Sequence, residues 1–265
     1  MKQRIITGTV LGLLVLLVIL YLNNNIFKNL VTALLLLAAW EWSAMVNPKR
    51  LLSRFIYLLI TGLLVVISSY FTFSILILSS SFWLLGCPLI YSYSRQYFNN
   101  ILPQWHYIIG FLVIVPFAVA INLLHCRQPL LLLIVLITVT FADSGAYFIG
   151  KKYGKHQLMP QVSPKKTTEG LLGGILIGGT AGAISSLWLN ATITQHSLLI
   201  ILVFIITIIG LLGDLFESMI KRTYGIKNSG RILPGHGGLL DRLDSMFPSI
   251  PVFALCGVLL KLIVI

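Results

Sequence analysis

Residues 55–94 read FIYLLITGLLVVISSYFTFSILILSSSFWLLGCPLIYSYS, forty consecutive positions without one Asp, Glu, Lys or Arg. Lipid offers no partner to a bare backbone N–H or C=O, so a segment crossing it must be a helix of ~20 apolar residues or a closed barrel. Forty residues is about two such helices, and Ser69-Tyr70 is the place to divide them. The same measure, applied outward, predicts spans at Arg4–Leu22, Phe27–Val46, Phe55–Ser69, Phe71–Tyr91, Tyr107–Leu124, Pro129–Gly150, Gly170–Leu189, Ser197–Lys221 and Phe247–Ile265. The fold class expected is therefore all-α, a polytopic integral membrane protein with about nine transmembrane helices. We read 1–265 as a single transmembrane domain, with N-terminal helices over 1–124 and functional helices and loops over 129–265.

Composition agrees. Of 265 residues, 57% are apolar and 10% charged, against ~25% charged in an ordinary soluble protein; the mean hydropathy is +0.96. A soluble globular domain and a disordered chain are both excluded. Lys2 and Arg4 precede the first apolar run, but that run is long for a signal peptide and no small-x-small site follows it, so a retained span is expected.

Net charge is +12, from 19 Lys and Arg against 7 Asp and Glu. With a cytoplasmic N-terminus, sixteen of the basic residues fall on the cytoplasmic side and only Lys28, Arg127 and Lys261 on the other. That bias is the positive-inside pattern. It explains most of the charge without nucleic acid as a partner and leaves some for anionic lipid or phosphate. Cys87, Cys126 and Cys256 lack metal-type spacing and read as packing residues. Gly170, Gly174, Gly178 and Gly182 form a stripe for close helix contact, and Trp40, Trp42, Trp105 and Tyr107 read as interfacial anchors.

The acids are Glu41, Asp143, Glu169, Asp214, Glu217, Asp241 and Asp244. Under this topology all of them lie in cytoplasmic loops or cytoplasmic halves of helices. An acid within a span costs ~2.5–3.5 kcal/mol on insertion scales and marks a functional group or a paired one. Asp214, Glu217, Ser218 and Lys221 share one helix face; an internal Glu217–Lys221 ion pair is the simpler account of two of them. Then comes Pro234-Gly235-His236-Gly237-Gly238-Leu239-Leu240-Asp241-Arg242-Leu243-Asp244. Its glycines allow backbone N–H groups to turn inward toward an anion, and its carboxylates suit a hard cation. Carboxylates, a glycine loop and many cations at one membrane face describe phosphoryl or nucleotidyl transfer on a substrate reached from the bilayer.

Ser218, Lys221-Arg222, Lys227, Gly230, Leu233-Pro234, His236-Gly237-Gly238, Asp241-Arg242 and Asp244 resemble, at the required spacing, the signature of phosphatidate cytidylyltransferases. Asp143-Ser144-Gly145, Gly154-Lys155, Ser163-Pro164-Lys165-Lys166-Thr167, Glu169-Gly170 and Trp40-Glu41-Trp42 are similar as well. The resemblance runs from the second helix to the end. One position departs: Asn228 stands where the pattern has Asp, which implies reduced activity if that carboxylate touches a cation.

The resemblance implies CTP and phosphatidate as substrates, CDP-diacylglycerol and pyrophosphate as products, and Mg²⁺ as cofactor, with two cations expected and the second unidentified. It makes Asp214, Asp241 and Asp244 the expected metal ligands, with Asp143 a ligand or orienting group. Lys221, Arg222, Lys227, Arg242, Lys165 and Lys166 would hold phosphate, beside Ser218, Gly237 and Gly238. His236 would touch phosphate or shape the loop. Membrane lipids surround the protein, a homodimer is compatible with the reading, and the bacterial inner membrane is the expected location. A CTP-dependent lipid or polyprenol kinase and an anion transporter are the alternatives. The Asp-Gly-x-x-Ala-Arg pattern of CDP-alcohol phosphotransferases is absent.

Overall fold

The computed structural model describes residues 2–94, 103–230 and 237–263. Its helices are α1 (Lys2–Tyr21), α2 (Asn24–Val46), α3 (Leu51–Ser68), α4 (Thr72–Ser94), α5 (Pro103–Arg127), α6 (Pro129–Tyr153), α7 (Thr168–Ser186), α8 (Ile193–Thr223), a one-turn α9 (Leu240–Leu243) and α10 (Met246–Leu259). Each predicted span has a helix. Most helices run past the apolar stretch into flanking polar residues, because hydropathy marks the lipid-facing part and backbone hydrogen bonding does not stop there. Five described stretches are long and apolar enough to cross a membrane: Asn24–Val46, Leu51–Tyr93, Gln104–Arg127, Pro129–Tyr153 and Ile193–Thr223. This is an all-α membrane protein.

The forty-residue run is interrupted where expected, by a 3-10 turn at Ser69–Phe71, and both α3 and α4 pack on α5. The last helix ends earlier than its apolar composition suggests. Lys261 takes a left-handed backbone, φ 56°, and the N–H groups of Leu262 and Ile263 turn back to the Gly257 carbonyl at 2.8 and 3.1 Å.

Local chemistry sets the other ends. Thr192 caps α8 in a reciprocal box with Gln195: the Gln195 N–H donates to the Thr192 hydroxyl and the Thr192 N–H donates to the Gln195 side chain. Two short strands, β1 (Gln157–Met159) and β2 (Ser163–Thr167), pair antiparallel in the stretch read as a plain loop. Pro160 supplies the fixed φ of the turn, closed by the Val162 N–H on the Met159 carbonyl. Val162 is fully buried and its carbonyl accepts from Arg222 Nε at 3.3 Å, which docks the hairpin on α8. At the other end Glu169 accepts from the Lys155 and His156 N–H groups and pairs with His156 Nδ1.

The glycine stripe is a seam between α6 and α7. Added Cβ atoms would lie 2.8 Å from the Ala146 carbonyl oxygen at Gly170, 2.9 Å from that of Ala142 at Gly174, and 2.6 Å from Ala142 Cβ and 2.8 Å from the Thr138 oxygen at Gly178. Backbone cannot yield as a side chain can. Gly178→Val is therefore expected to destabilise by about 1–3 kcal/mol or more, as overpacked cores do, read as a lowered unfolding midpoint in detergent.

Trp42 corrects the anchor reading. It is 1% exposed and its Nε1 donates to the His106 carbonyl at 2.8 Å, so it is a core residue joining α2 to α5. Trp105 is exposed and Trp40 sits beneath Arg54, 5.2 Å from its guanidinium. Cys87 and Cys126 are likewise exposed rather than packed; Cys256 is partly buried.

Candidate active site

The C-terminal part of α8 presents Asp214, Glu217, Ser218 and Lys221 on one face. Lys221 is 7% exposed and Glu217 4%. Their ion pair, Nζ to Oε1, is 3.1 Å, the internal pair expected from their spacing. Lys221 goes further: its Nζ donates to Asp241 Oδ1 at 2.6 Å. Asp214 pairs with Lys166 of β2, Nζ to Oδ2 at 2.6 Å, and its Oδ1 accepts from the Ser218 hydroxyl at 3.4 Å. Both carboxylates expected first as metal ligands thus carry a lysine.

The glycine loop does something other than the open anion nest expected from its composition. Among the described residues, its inward N–H groups meet carboxylates of the protein itself. Asp241 Oδ2 accepts from the N–H of Ser229 at 3.0 Å and of Gly238 at 2.9 Å. Gly237 has φ +87°, and a Cβ there would approach Asp241 Oδ2 to 2.9 Å. The glycines are needed because backbone closes onto a side chain.

The two loop acids are held oppositely. Burial pushes the Asp241 carboxyl up, but the hydrogen bond from Lys221, the Gly238 N–H, the Lys221 charge and the Ser229 N–H together hold it below its ordinary value. Asp244 is pushed well above the usual carboxylate range, first by burial and then by the charges of Asp214, Glu217 and Asp143, with Lys221 opposing. The signs differ for stability. A raised carboxyl makes the folded state bind its proton more tightly, so ionising Asp244 above that pKa works against folding. Asp244→Asn is expected to raise the unfolding midpoint of metal-free protein most at alkaline pH, with the gain fading as pH falls through the raised value. Asp241→Asn should lower it, fully above the ordinary carboxylate pKa, and the loss should fade as pH falls through the depressed value. Unfolding midpoints across a pH series in chelator check both.

A cavity of about 640 Å³ lies between α6, the hairpin, the start of α7 and α8. Asp143, Asp214, Asp241 and Asp244 line it together with Lys151, Lys165 and Lys166. Its remaining wall includes Ala146, Tyr147, Leu158, Leu171 and Leu211. A lining that combines charged and apolar side chains suits an amphiphile with an anionic head. Ser245 ties two of the acids together, its hydroxyl 3.2 Å from Asp143 Oδ1 and its N–H 2.8 Å from Asp244 Oδ1.

Of the site residues expected from sequence, Asp143, Lys165, Lys166, Asp214, Asp241 and Asp244 meet at this cavity. Ser218 and Lys221 stand behind it, holding Asp214 and Asp241. Arg222 instead donates to the Val162 and Ile226 carbonyls, a structural position. Lys227, Asn228 and Arg242 are exposed and away from the cavity wall. Gly237 and Gly238 act through Asp241, and His236 lies outside the described residues. Lys151, whose charge the topology alone could explain, reaches the cavity. Ser229, Ser245 and Glu41 were not singled out as site residues; only Glu41, an acid inside a span, carried a signal.

Hard oxygen donors around one cavity are the right chemistry for Mg²⁺, and the repulsion that adds to burial in raising Asp244 is what a divalent cation would relieve. Among the described residues no three His, Cys, Asp or Glu side chains already converge at ligand spacing.

Comparison with known proteins settles the family. The model of the cytidylyltransferase family matches residues 2–260. The chain belongs to the cytidylyltransferase family. Its relatives include the phosphatidate cytidylyltransferase of Pseudomonas aeruginosa, 34% identical over 263 residues with 96% of each chain covered. That of Haemophilus influenzae is 32% identical over 280 residues, covering 96% of this chain and 97% of the relative. With the Bacillus subtilis enzyme of the same name the identity is 48%, over 115 residues and 43% of this chain. As a cytidylyltransferase the chain is a nucleotidyl-transferring enzyme, so the cavity is its candidate catalytic centre.

Proposed function

We propose that this protein is a phosphatidate cytidylyltransferase of phospholipid biosynthesis, converting CTP and phosphatidate to CDP-diacylglycerol and pyrophosphate. The observation that carries the reading is the cavity itself, lined by four aspartates and three lysines together with apolar side chains such as Leu158, Leu171 and Leu211. Phosphatidate brings its own nucleophile, because a phosphomonoester is largely ionised near pH 7 (second pKa ~6). Its oxygen attacks the α-phosphorus of CTP, the bond from that phosphorus to the bridging β-phosphate oxygen breaks, and pyrophosphate leaves with the electron pair. No strong general base is required. The protein's work is to bring two polyanions together and hold them in line.

Lys151, Lys165 and Lys166 would bind the phosphates. Asp143, Asp214, Asp241 and Asp244 would hold Mg²⁺, with Asp214 and Asp241 first, since each carboxylate oxygen that meets a lysine retains a second lone pair. Bound there, the cation would neutralise charge on the triphosphate and the leaving pyrophosphate; a second cation has the same donors to draw on. Lys166, on a hairpin strand, is the group that would turn from Asp214 to phosphate when a cation takes its place. The charge bias supports a cytoplasmic N-terminus and cytoplasmic site, and the bacterial relatives support the inner membrane.

The test is purified protein with radiolabelled CTP and phosphatidate in mixed micelles. CDP-lipid and pyrophosphate are expected. Phosphorylated lipid with CDP would make it a kinase, and solute uptake into proteoliposomes without CTP would make it a transporter; either overturns the proposal.

A further inference from the structure

The function proposed above leaves Glu41 unused, although it is the acid farthest in sequence from the others and 3% exposed. It projects from α2 into the base of the glycine loop. Glu41 Oε2 accepts from the Leu240 N–H at 3.0 Å and from the Ser229 hydroxyl at 3.3 Å. Ser229 precedes the loop and Leu240 follows it. Asp241 bridges the same two arms through the N–H groups of Ser229 and Gly238. Two carboxylates therefore clamp the loop base, one from α9 just past the loop and one from a helix about two hundred residues earlier.

The small residues of the loop answer to the same side chain. A Cβ on Gly230 would run into Glu41 Oε1 and lie 2.7 Å from its Cδ. One on Gly238 would overlap Ser229 Oγ and lie 2.6 Å from Glu41 Oε2. The three nearest atoms that a Gly230 Cβ would meet all belong to Glu41, so its smallness answers first to Glu41. A charged acceptor that satisfies a buried N–H and hydroxyl is worth more than a neutral one, and deleting it leaves both donors without a partner.

We propose that Glu41 is the positioning residue for Asp241: it locks the two arms of the glycine loop to α2 and so sets where the Asp241 carboxylate stands in the cavity. It touches no substrate in this scheme. The inference rests on the proposed activity only for its kinetic readout.

Both interactions fall on one carboxylate oxygen, so Glu41→Gln can keep them through its carbonyl. Glu41→Gln is expected to retain activity within about fivefold. Glu41→Ala should lose about a hundredfold, the scale of a 1 Å misplacement at a reacting centre. Hydrogen exchange of the 227–244 region should rise about tenfold or more in Glu41→Ala, while α8 residues before Asp214 and α10 stay at wild-type rates. Gly230→Ala should be as damaging as Glu41→Ala. Glu41→Asp, which withdraws the carboxylate by one methylene, should make Gly230→Ala nearly silent in the double variant, a non-additivity that general destabilisation would not produce. The proposal is overturned by Glu41→Gln as impaired as Glu41→Ala, by additive Gly230→Ala and Glu41→Asp effects, or by exchange that rises equally throughout or not at all. If the wild-type protein makes no CDP-lipid, the functional reading fails, and exchange in the Glu41 and Gly230 variants still decides the positioning role.

Discussion

Asp241→Asn is expected to lower CDP-diacylglycerol formation about a hundred- to a thousandfold, measured with labelled CTP in well-folded protein. The scale is that of removing a key electrostatic group from a preorganised site. Several links meet at this carboxylate. It faces the cavity, receives Lys221 Nζ, and accepts the N–H groups that close the loop. The amide is nearly isosteric, but its NH2 group must point at a lysine ammonium or at a backbone N–H, and neither can accept. Asp241→Asn thus removes a donor to a cation and opens the loop together. Asp214→Asn should reach a similar loss by a simpler route, because Asp214 meets only Lys166 and Ser218 among the polar contacts described for it. Near-parental rates in folded Asp241→Asn protein would remove this residue from the chemistry.

Lys221→Met carries the largest expected effect on stability, a loss of about 3–5 kcal/mol, the range for breaking a buried ion pair from one side. Glu217 and Asp241 would both be left facing an apolar side chain, and among the described residues Glu217 has no other hydrogen-bond partner for its buried oxygens. Adding Glu217→Gln should recover a substantial part by removing one of the two stranded charges. Unfolding midpoints of the single and double variants decide it; a double variant no better than Lys221→Met would place the damage elsewhere.

How much of this could be read from residues alone follows a physical divide. Lipid imposes a coarse rule on composition, so the helices and even the break at Ser69-Tyr70 were legible. The pairing of Glu217 with Lys221 was legible too, being set by helix spacing. The shared cavity of Asp143, Asp214, Asp241 and Asp244 could be anticipated because acids are scarce in such a chain. Local spacing says nothing about contacts such as Lys166 on Asp214 or Lys221 on Asp241, which depend on a hairpin and a loop folding back across helices. Arg222 shows the converse: its place in the motif suggested phosphate, while the fold gives it two backbone carbonyls. Trp42 misled for the same reason, since an aromatic near a span end can point outward or inward without a change in sequence.

The glycine seam between α6 and α7 has a consequence for how the cavity accommodates its contents. Where Gly170, Gly174 and Gly178 meet the Ala146, Ala142 and Thr138 carbonyls the two backbones touch directly, and the wall that carries Asp143 and Gly170 is expected to behave as one stiff plate. A larger headgroup is not expected to push it back, because backbone in direct contact has no rotamers to rearrange. Adjustment is expected to fall instead to Lys166, on the two-stranded hairpin, and to Asp241, beside a loop held by carboxylates. Substitutions along the seam should therefore narrow the range of lipids accepted, whereas substitutions in the hairpin should change how fast they are released.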